Sequence, residues 1–301
     1  MKKISGLFVV LLATTVWTTQ TSALQIVTTT TDLASIAKEI GGDLVNVESL
    51  TEGNIDLHFV SARPDFIMKV NRADVFVEVG LDLEAAWTPL LLNQARNTKV
   101  QRGQQGYCFA WKGIKLLQVP TGTVDRSMGD IHVFGNPHYW IDPLNGIQIA
   151  KNILNTLAIV DYAHEKQYRA NYDQFVAKVK KLSLDLMKVM RPHKGKKIVV
   201  YHQEFNYLAD RFGLEIAGSV EQRMGIAPAP AWINKTVTLI KEQKIPVVLV
   251  SPWSNVGIAR RVAEESGARL LILPVQTGAG EKTETWLKMI ETATRTLAGA
   301  L

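Results

Sequence analysis

Short apolar segments alternate with helical patterns in two separate stretches of the chain, and this alternation restricts the fold more than any other feature. In the first stretch, apolar runs at 24–29, 44–50 and 75–79 are separated by amphipathic segments. The alternation starts again after residue 196, with a new apolar run at 197–201. Alternating strand and helix patterns are typical of parallel α/β layers. We therefore predict an α/β fold of two lobes with mainly parallel sheets.

One long helical pattern lies between the two stretches. Apolar side chains recur three or four positions apart from residue 162 to residue 190, and Pro192 and Gly195 follow. At about 1.5 Å per residue such a helix is about 40 Å long, enough to cross a small domain. We predict an N-terminal lobe at 24–160, a rigid linking helix at 161–191 and a C-terminal lobe at 192–301.

The first 23 residues have the pattern of an export signal. Lys2 and Lys3 precede a mostly apolar run at 4–16, and small residues end the segment at Ala23. The apolar run is shorter than the roughly 20 residues that span a bilayer, which argues against the alternative of a retained anchor. No cysteine lies near the cleavage position to carry a lipid. We predict a cleaved signal peptide and a periplasmic protein.

Composition excludes several kinds of site. Cys108 is the only cysteine, so the chain can form neither an internal disulfide nor a cysteine-based zinc cluster, and we expect a buried structural thiol. The formal net charge of +6 falls to +4 without Lys2 and Lys3. Four lysines in the long helical pattern recur at a spacing typical of a solvated helix face. Dispersed basic residues and an export signal argue against nucleic-acid binding.

Three of the six histidines share a setting that favours metal binding. His58 lies just after a predicted strand, His138 lies in an irregular stretch at 100–143, and His202 directly follows the strand at 197–201. Ligands of open α/β sheets bind outside the carboxyl ends of the strands, and imidazole is the commonest protein ligand of transition metals. We therefore predict a metal cleft between the two lobes. The wide spacing of the three histidines fits no local motif such as HExxH. Each histidine taken alone could be an ordinary surface or core residue.

Several segments, taken in order, resemble the zinc- and manganese-type periplasmic solute-binding proteins of ABC transporters, the cluster A-I group. The resemblance extends from residue 24 to at least residue 274. His58-Phe59-Val60-Ser61 with Pro64-Asp65 is similar to the first-ligand segment of that family, and Asn136-Pro137-His138-Tyr139-Trp140-Ile141-Asp142-Pro143 is close to its most specific motif. Tyr201-His202-Gln203-Glu204-Phe205 resembles the third-ligand segment.

The resemblance implies that His58, His138 and His202 bind a divalent metal ion, which the protein delivers to a membrane ABC permease. Relatives associated with manganese typically have glutamate at the third position. The histidine here therefore favours Zn²⁺ over Mn²⁺, in agreement with the preference of zinc for nitrogen. We expect a monomeric binding protein rather than an enzyme, with the ion and the permease as its partners.

The chain departs from the family pattern at the fourth ligand. The family usually supplies a carboxylate from the loop after the last strand, whereas 273–281 has no aspartate at the expected place. We predict a site of three imidazoles whose fourth position is held by water or loosely by Glu281. His132, close to His138 in sequence, is a further candidate. The long His- and Asp-rich loop of many zinc-binding relatives is also missing.

Two other functions stay open from the sequence. Three histidines with an open fourth position are also the usual arrangement of a zinc hydrolase, for which Glu204 is the candidate base, although no helix carries HExxH. A metal-binding adhesin is a third hypothesis, which the N-terminus without a lipid site weakens.

Asp142 and Pro143 indicate the start of a helix. Aspartate is a preferred N-cap residue and proline a preferred first helical residue, so we predict that Asp142 caps a helix running from Leu144. Orientation of a ligand imidazole by the same carboxylate is the alternative.

Overall fold

A computed structural model describes residues 23–122, 132–223 and 225–301. Within these ranges the chain forms eight β-strands and nine α-helices, arranged as two parallel four-stranded sheets with helices packed on them. The predicted α/β fold with two mainly parallel sheets is confirmed. The predicted signal peptide lies almost wholly outside the described residues. No helix in the described ranges has the length and apolar character needed to cross a membrane.

The first sheet has the strand order β2-β1-β3-β4. Its strands are β1 (Leu24–Thr28), β2 (Val45–Ser49), β3 (Val75–Glu78) and β4 (Tyr107–Phe109). Four helices pack around it: α1 (Thr31–Gly41), α2 (Pro64–Arg72), α3 (Thr88–Ala95) and α4 (Pro143–Val160). Strand β4 was not predicted, because three residues inside a glycine-rich stretch leave no readable alternation. Its Cys108 is buried as expected, and burial raises the pKa of the thiol to about 12.

The second sheet repeats this arrangement with the order β6-β5-β7-β8. Its strands are β5 (Lys197–Val200), β6 (Glu215–Ser219), β7 (Val247–Val250) and β8 (Arg269–Ile272). Its helices are α6 (Asn206–Phe212), α7 (Pro230–Gln243) and α8 (Val256–Ser266). Strand β6 was missed because this edge strand is only partly buried and contains Gly218, which weakens any strand pattern.

Helix α5 (Glu165–Met190) links the two sheets, and short 3₁₀ turns at Tyr162–His164 and Arg191–His193 flank it. Its 26 residues correspond to about 39 Å, as the sequence predicts. Tyr168, Phe175 and Leu186 are among the side chains on its buried face. The lysines at 178, 180, 181 and 188 are exposed, which confirms the predicted solvated face.

The C-terminal helix α9 (Trp286–Ala298) packs against α1 and α5 rather than on the second sheet alone. The indole of Trp286 lies over Gly146 in α4, where an added Cβ would come within 2.0 Å of the ring. Only glycine therefore fits at this contact. Trp286 also donates its indole N–H to the carbonyl oxygen of Trp140 at 2.9 Å, so α9 contacts the segment that precedes α4.

Asp142 caps α4, as predicted. Its Oδ1 accepts a hydrogen bond from the backbone N–H of Leu144 at 2.9 Å. Both carboxylate oxygens also accept from the guanidinium of Arg211, at 2.7 and 2.6 Å. Because Arg211 belongs to α6, this bidentate ion pair fixes the start of α4 against the second half of the chain.

Asp32 joins the start of α1 to the loop after β8. Its Oδ1 accepts from the backbone N–H of Thr277 at 2.9 Å and from the Thr277 hydroxyl at 2.8 Å. The carboxyl group is fully buried, and its Oδ2 has no hydrogen-bond partner among the described residues. Burial raises the pKa of Asp32 to about 7, although both hydrogen bonds from Thr277 oppose the shift.

Candidate metal centre

The fold brings His58, His138 and His202 together. His58 lies in a 3₁₀ turn (Leu57–Phe59) after β2, and His202 follows β5 by two residues. His138 directly precedes the 3₁₀ turn Tyr139–Ile141 that leads into α4. One ring nitrogen of each imidazole lies within 4.8 Å of a ring nitrogen of both others. Segments that follow β2 and β5, together with the turn before α4, therefore place three possible metal-binding nitrogens close together.

The histidines line a cavity of about 220 Å³ to which both halves of the chain contribute. Other polar and aromatic lining residues are Asp56, Tyr201, Glu204, Glu221, Trp253, Ser254, Asn255 and Gln276. The cavity thus lies between the two sheets, where the sequence predicts the metal cleft.

Two carboxylates orient two of the imidazoles. His58 Nδ1 lies 2.7 Å from Asp56 Oδ1, and His202 Nδ1 lies 2.8 Å from Glu221 Oε2. A carboxylate accepts only from a protonated nitrogen, so each Nε2 is left with a lone pair facing the cavity. Burial raises the pKa of Asp56, but the hydrogen bonds and charge of His58 outweigh it and the net shift is downward. Each carboxylate thus fixes the orientation of its imidazole and turns Nε2 towards the cavity.

Sequence reasoning missed both carboxylates. Asp56 is only two residues from His58, and its Oδ1 accepts a hydrogen bond from the His58 backbone N–H at 3.0 Å. This is an ordinary turn pattern of aspartate, which could have suggested the contact between the two side chains. Glu221 lies 19 residues from His202, just after the neighbouring strand β6. No sequence signal connects the two, because the strand itself was not predicted.

His138 is the most enclosed of the three histidines. It is 5 % exposed, and its ring centroid lies 5.3 Å from that of Trp140. Burial, followed by the neighbouring histidines, holds the pKa of His138 well below its usual value. Its Nε2 lies 3.4 Å from His202 Nε2. His138 is thus neutral at physiological pH, the form in which imidazole binds metals.

His132 lies beside His58, outside the group of three nitrogens that lie within 4.8 Å of one another. Its Nε2 lies 3.1 Å from His58 Nε2, and its ring centroid lies 5.2 Å from that of His58 and 6.4 Å from that of His138. The side chain is only 6 % exposed, and burial lowers the pKa of His132 to about 3. Glu281, the other protein candidate for the fourth position, is exposed and is not among the lining residues.

Two further buried polar side chains line the cavity. Gln276, in the loop where relatives usually have a carboxylate, donates its amide N–H to the Ile55 carbonyl at 3.2 Å, and its Oε1 has no partner among the described residues. Glu204 is 1 % exposed. Burial raises its pKa to about 8, although a hydrogen bond from Ser251 acts to lower the pKa.

The two remaining histidines lie elsewhere. His164 is paired with Asp161 before α5, with Nδ1 at 2.8 Å from a carboxylate oxygen. His193 lies in the 3₁₀ turn after α5. Neither lines the cavity, so both offer controls for substitutions in the cluster.

The family model described as "Zinc-uptake complex component A periplasmic" (ZnuA) matches residues 26–300. The chain belongs to this family. It is therefore a metal-binding substrate-binding protein of the ABC-transporter type, and the resemblance noted in the sequence is confirmed.

Related proteins have names that refer to three different metals. The chain is 27 % identical over 282 residues to the iron-binding protein YfeA of Yersinia pestis, covering 91 % of this chain and 85 % of YfeA. It is 26 % identical over 283 residues to the zinc-binding lipoprotein AdcA of Streptococcus pneumoniae, covering 89 % of this chain but only 54 % of AdcA. The chain thus spans about half the length of AdcA. It is 28 % identical over 248 residues to the manganese ABC transporter substrate-binding lipoprotein PsaA of Streptococcus pneumoniae, covering 81 % of this chain and 76 % of PsaA.

Solved structures share the fold. The crystal structure of ZnuA superimposes with a TM-score of 0.77 at 23 % identity, covering 92 % of this chain and 99 % of that chain. A manganese-bound periplasmic metal-binding protein from Candidatus Liberibacter asiaticus superimposes with a TM-score of 0.74 at 20 % identity, covering 92 % and 98 %. The shared fold does not distinguish between ions, so the choice of ion depends on the ligands.

Proposed function

We propose that this protein captures a divalent transition-metal ion, with zinc as the preferred cargo, and delivers it to an ABC permease. His58, His138 and His202 bind the ion in the cavity between the two sheets. The protein works in the periplasm as a monomer, after cleavage of a signal peptide near Ala23. In this proposal the N-terminal lobe ends near residue 160, the C-terminal lobe begins after residue 191, and the metal site lies between the two lobes.

The convergence of the three ring nitrogens carries this proposal. With Zn–N bonds of about 2.0–2.1 Å, the nitrogens of a tetrahedral site lie about 3.3–3.4 Å apart. His138 Nε2 and His202 Nε2 are already 3.4 Å apart, and the three nitrogens fall within 4.8 Å of one another. Small side-chain adjustments are therefore enough to bring them all to a zinc ion.

The donor atoms support zinc over manganese. Manganese prefers carboxylate and other oxygen ligands, whereas imidazole suits zinc. The nearest carboxylates of the cluster, Asp56 and Glu221, are each engaged by an Nδ1–H of a histidine. They act on the ion through the imidazoles, so that the three ligand atoms proposed for it are nitrogens.

Single alanine substitutions test the ligand assignment. We expect His58→Ala, His138→Ala and His202→Ala each to weaken zinc binding by about 100-fold or more, because a three-nitrogen site loses a third of its protein donors. Competition titration with a chromophoric chelator measures the affinity. His164→Ala and His193→Ala are the controls and should leave it unchanged. Equal and small effects in all five variants would contradict the assignment.

Export and delivery need separate measurements. N-terminal sequencing of protein from a periplasmic extract should begin near Leu24 if the signal peptide is cleaved. Deletion of the gene should impair growth in zinc-depleted medium, and the wild-type gene but not His138→Ala should restore it. If both genes restored growth equally, the role of the protein in growth would not depend on metal binding by His138.

A secreted zinc hydrolase is the competing function, because the carboxyl group of Glu204 lines the same cavity. A pKa raised to about 8 keeps Glu204 protonated at neutral pH in the metal-free protein, a poor state for a general base. Assays of zinc-loaded protein on ester and peptide substrates separate the two functions. Turnover that is lost in Glu204→Gln would support the hydrolase.

A further inference from the structure

We infer that His132 is the fourth metal ligand, so that the ion is held by four imidazoles. This inference rests on the proposed function and specifies its cargo as an ion that prefers nitrogen ligands. In place of the carboxylate usual in the family, the chain uses a histidine from the segment that leads to His138.

Two pairs of ring nitrogens have separations close to the edge length of a tetrahedral zinc site. One edge joins Nε2 of His58 to Nε2 of His132 at 3.1 Å, and the other joins Nε2 of His138 to Nε2 of His202 at 3.4 Å. A tetrahedral zinc site with Zn–N bonds of about 2.0–2.1 Å requires edges of about 3.3–3.4 Å. The ring nitrogens that all lie within 4.8 Å of one another are those of His58, His138 and His202. The imidazole of His132 must therefore turn from His58 towards the other two histidines to complete the shell.

The direction of the lone pairs supports the same centre. His58 and His202 donate their Nδ1–H to Asp56 and Glu221, so their Nε2 atoms carry lone pairs. His132 and His138 point their own Nε2 atoms at these two nitrogens. A cation between the two pairs binds all four nitrogens once His132 has turned towards His138 and His202.

The backbone that carries His132 is fixed by the residues that support His138. The His132 carbonyl accepts from Gly135 N–H at 3.1 Å, in a turn where Gly135 has a φ of +114° that favours glycine. Asn136 then donates its side-chain amide to the carbonyl of Gln203 at 2.6 Å and accepts from the His138 N–H at 2.9 Å. One asparagine thus joins the His132 turn, His138 and the loop of His202, which preorganises the site.

Other candidates for the fourth position are less well placed. Neither Glu281 nor His132 is among the residues that line the cavity. Glu281 is exposed, whereas His132 is buried with its Nε2 3.1 Å from His58 Nε2. The Gln276 amide is hydrogen-bonded to the Ile55 carbonyl, and its remaining oxygen is a weaker donor to zinc than an imidazole nitrogen. His132 is the candidate whose ligand atom already lies against another ligand of the cluster.

Four neutral imidazoles give the site a definite selectivity. The ligands carry no charge, and the two carboxylates that balance the ion, Asp56 and Glu221, lie behind His58 and His202. A hard ion such as Mn²⁺ finds no oxygen among the four donors, whereas Zn²⁺ finds its preferred nitrogens. His132 is therefore a residue that determines specificity.

Cobalt substitution and X-ray absorption test the fourth ligand directly in the mature chain. We expect the wild-type Co²⁺ spectrum to be tetrahedral and indifferent to azide, with a zinc shell of four nitrogens at about 2.0 Å. His132→Ala should become sensitive to azide and bind zinc about tenfold or more weakly. His132→Asp should shift the ratio of Mn²⁺ to Zn²⁺ affinity by about tenfold towards Mn²⁺. His164→Ala is the matched control.

The outcomes separate this inference from the proposed function. An azide-sensitive wild-type spectrum, or wild-type zinc affinity in His132→Ala, would overturn the role of His132 even if His138→Ala abolishes binding. Zinc affinity that is unaffected by His58→Ala, His138→Ala and His202→Ala would overturn the proposed function itself.

Discussion

Replacement of Asp32 by asparagine should remove a pH-dependent free-energy cost that lowers the stability of the folded protein at neutral and alkaline pH. The Asp32 carboxyl is fully buried and accepts two hydrogen bonds, both from Thr277. An asparagine oxygen can accept the same two bonds. The amide would replace Oδ2, which has no partner among the described residues. The variant therefore keeps the contact between α1 and the loop after β8 and loses only the ionisation.

The size of this free-energy cost follows from the shift of the Asp32 pKa from 3.8 to about 7, which is caused mainly by burial. Because the folded protein holds the proton more tightly than the unfolded chain, stability is highest below the unfolded pKa and falls as pH rises towards the folded pKa. At ~1.4 kcal/mol per tenfold change, this group lowers the free energy of unfolding by on the order of 4 kcal/mol above pH 7.

Urea unfolding measures this free energy at a series of pH values. Between about pH 4 and about pH 8 the wild type should lose on the order of 4 kcal/mol relative to Asp32→Asn, with the loss complete near neutrality. Asp43→Asn, at an exposed position, is the control and should follow the wild type. Parallel pH profiles for wild type and Asp32→Asn would refute the reasoning.

Two further substitutions test the orienting carboxylates and the packing of α9. Asp56→Asn and Glu221→Gln should each lower zinc affinity by about 10–100-fold by releasing a ligand imidazole, as measured by competition titration; unchanged affinity would mean that the imidazoles need no such support. Gly146→Ala should lower the free energy of unfolding in urea by about 1–3 kcal/mol, because its Cβ would overlap the Trp286 ring. Gly257→Ala, on the exposed side of α8, is the matched control and should change stability by less than about 1 kcal/mol.

Features with a local signal could be predicted from the sequence. The long amphipathic period gives α5, and the Asp142-Pro143 pair gives the start of α4, because both depend on residues a few positions apart. The set of His58, His138 and His202 was predicted from the resemblance to the family, because positions after strands of open α/β sheets gave only weak support.

Features that depend on distant packing could not be predicted. Glu221 reaches His202 only because β6 pairs with β5, and β6 has no clear strand pattern. The position of His132 depends on a turn fixed by Asn136, whose partner Gln203 lies 67 residues away. The contact of α9 with α4 requires Gly146. In the sequence this residue reads only as a glycine that lowers helix propensity, with no sign of a packing role.

The contact of Trp286 with Trp140 makes the surroundings of His138 depend on a helix that is synthesised much later. The two residues are 146 positions apart, and the ring of Trp140 lies against His138. A ribosome makes the chain from its N-terminus, so His138 and its tryptophan exist well before the helix that covers them. In an unfinished chain the Trp140 carbonyl lacks its indole donor and the groove at Gly146 is empty. The packing around Trp140 and His138 is therefore complete only after α9 has been made and has packed.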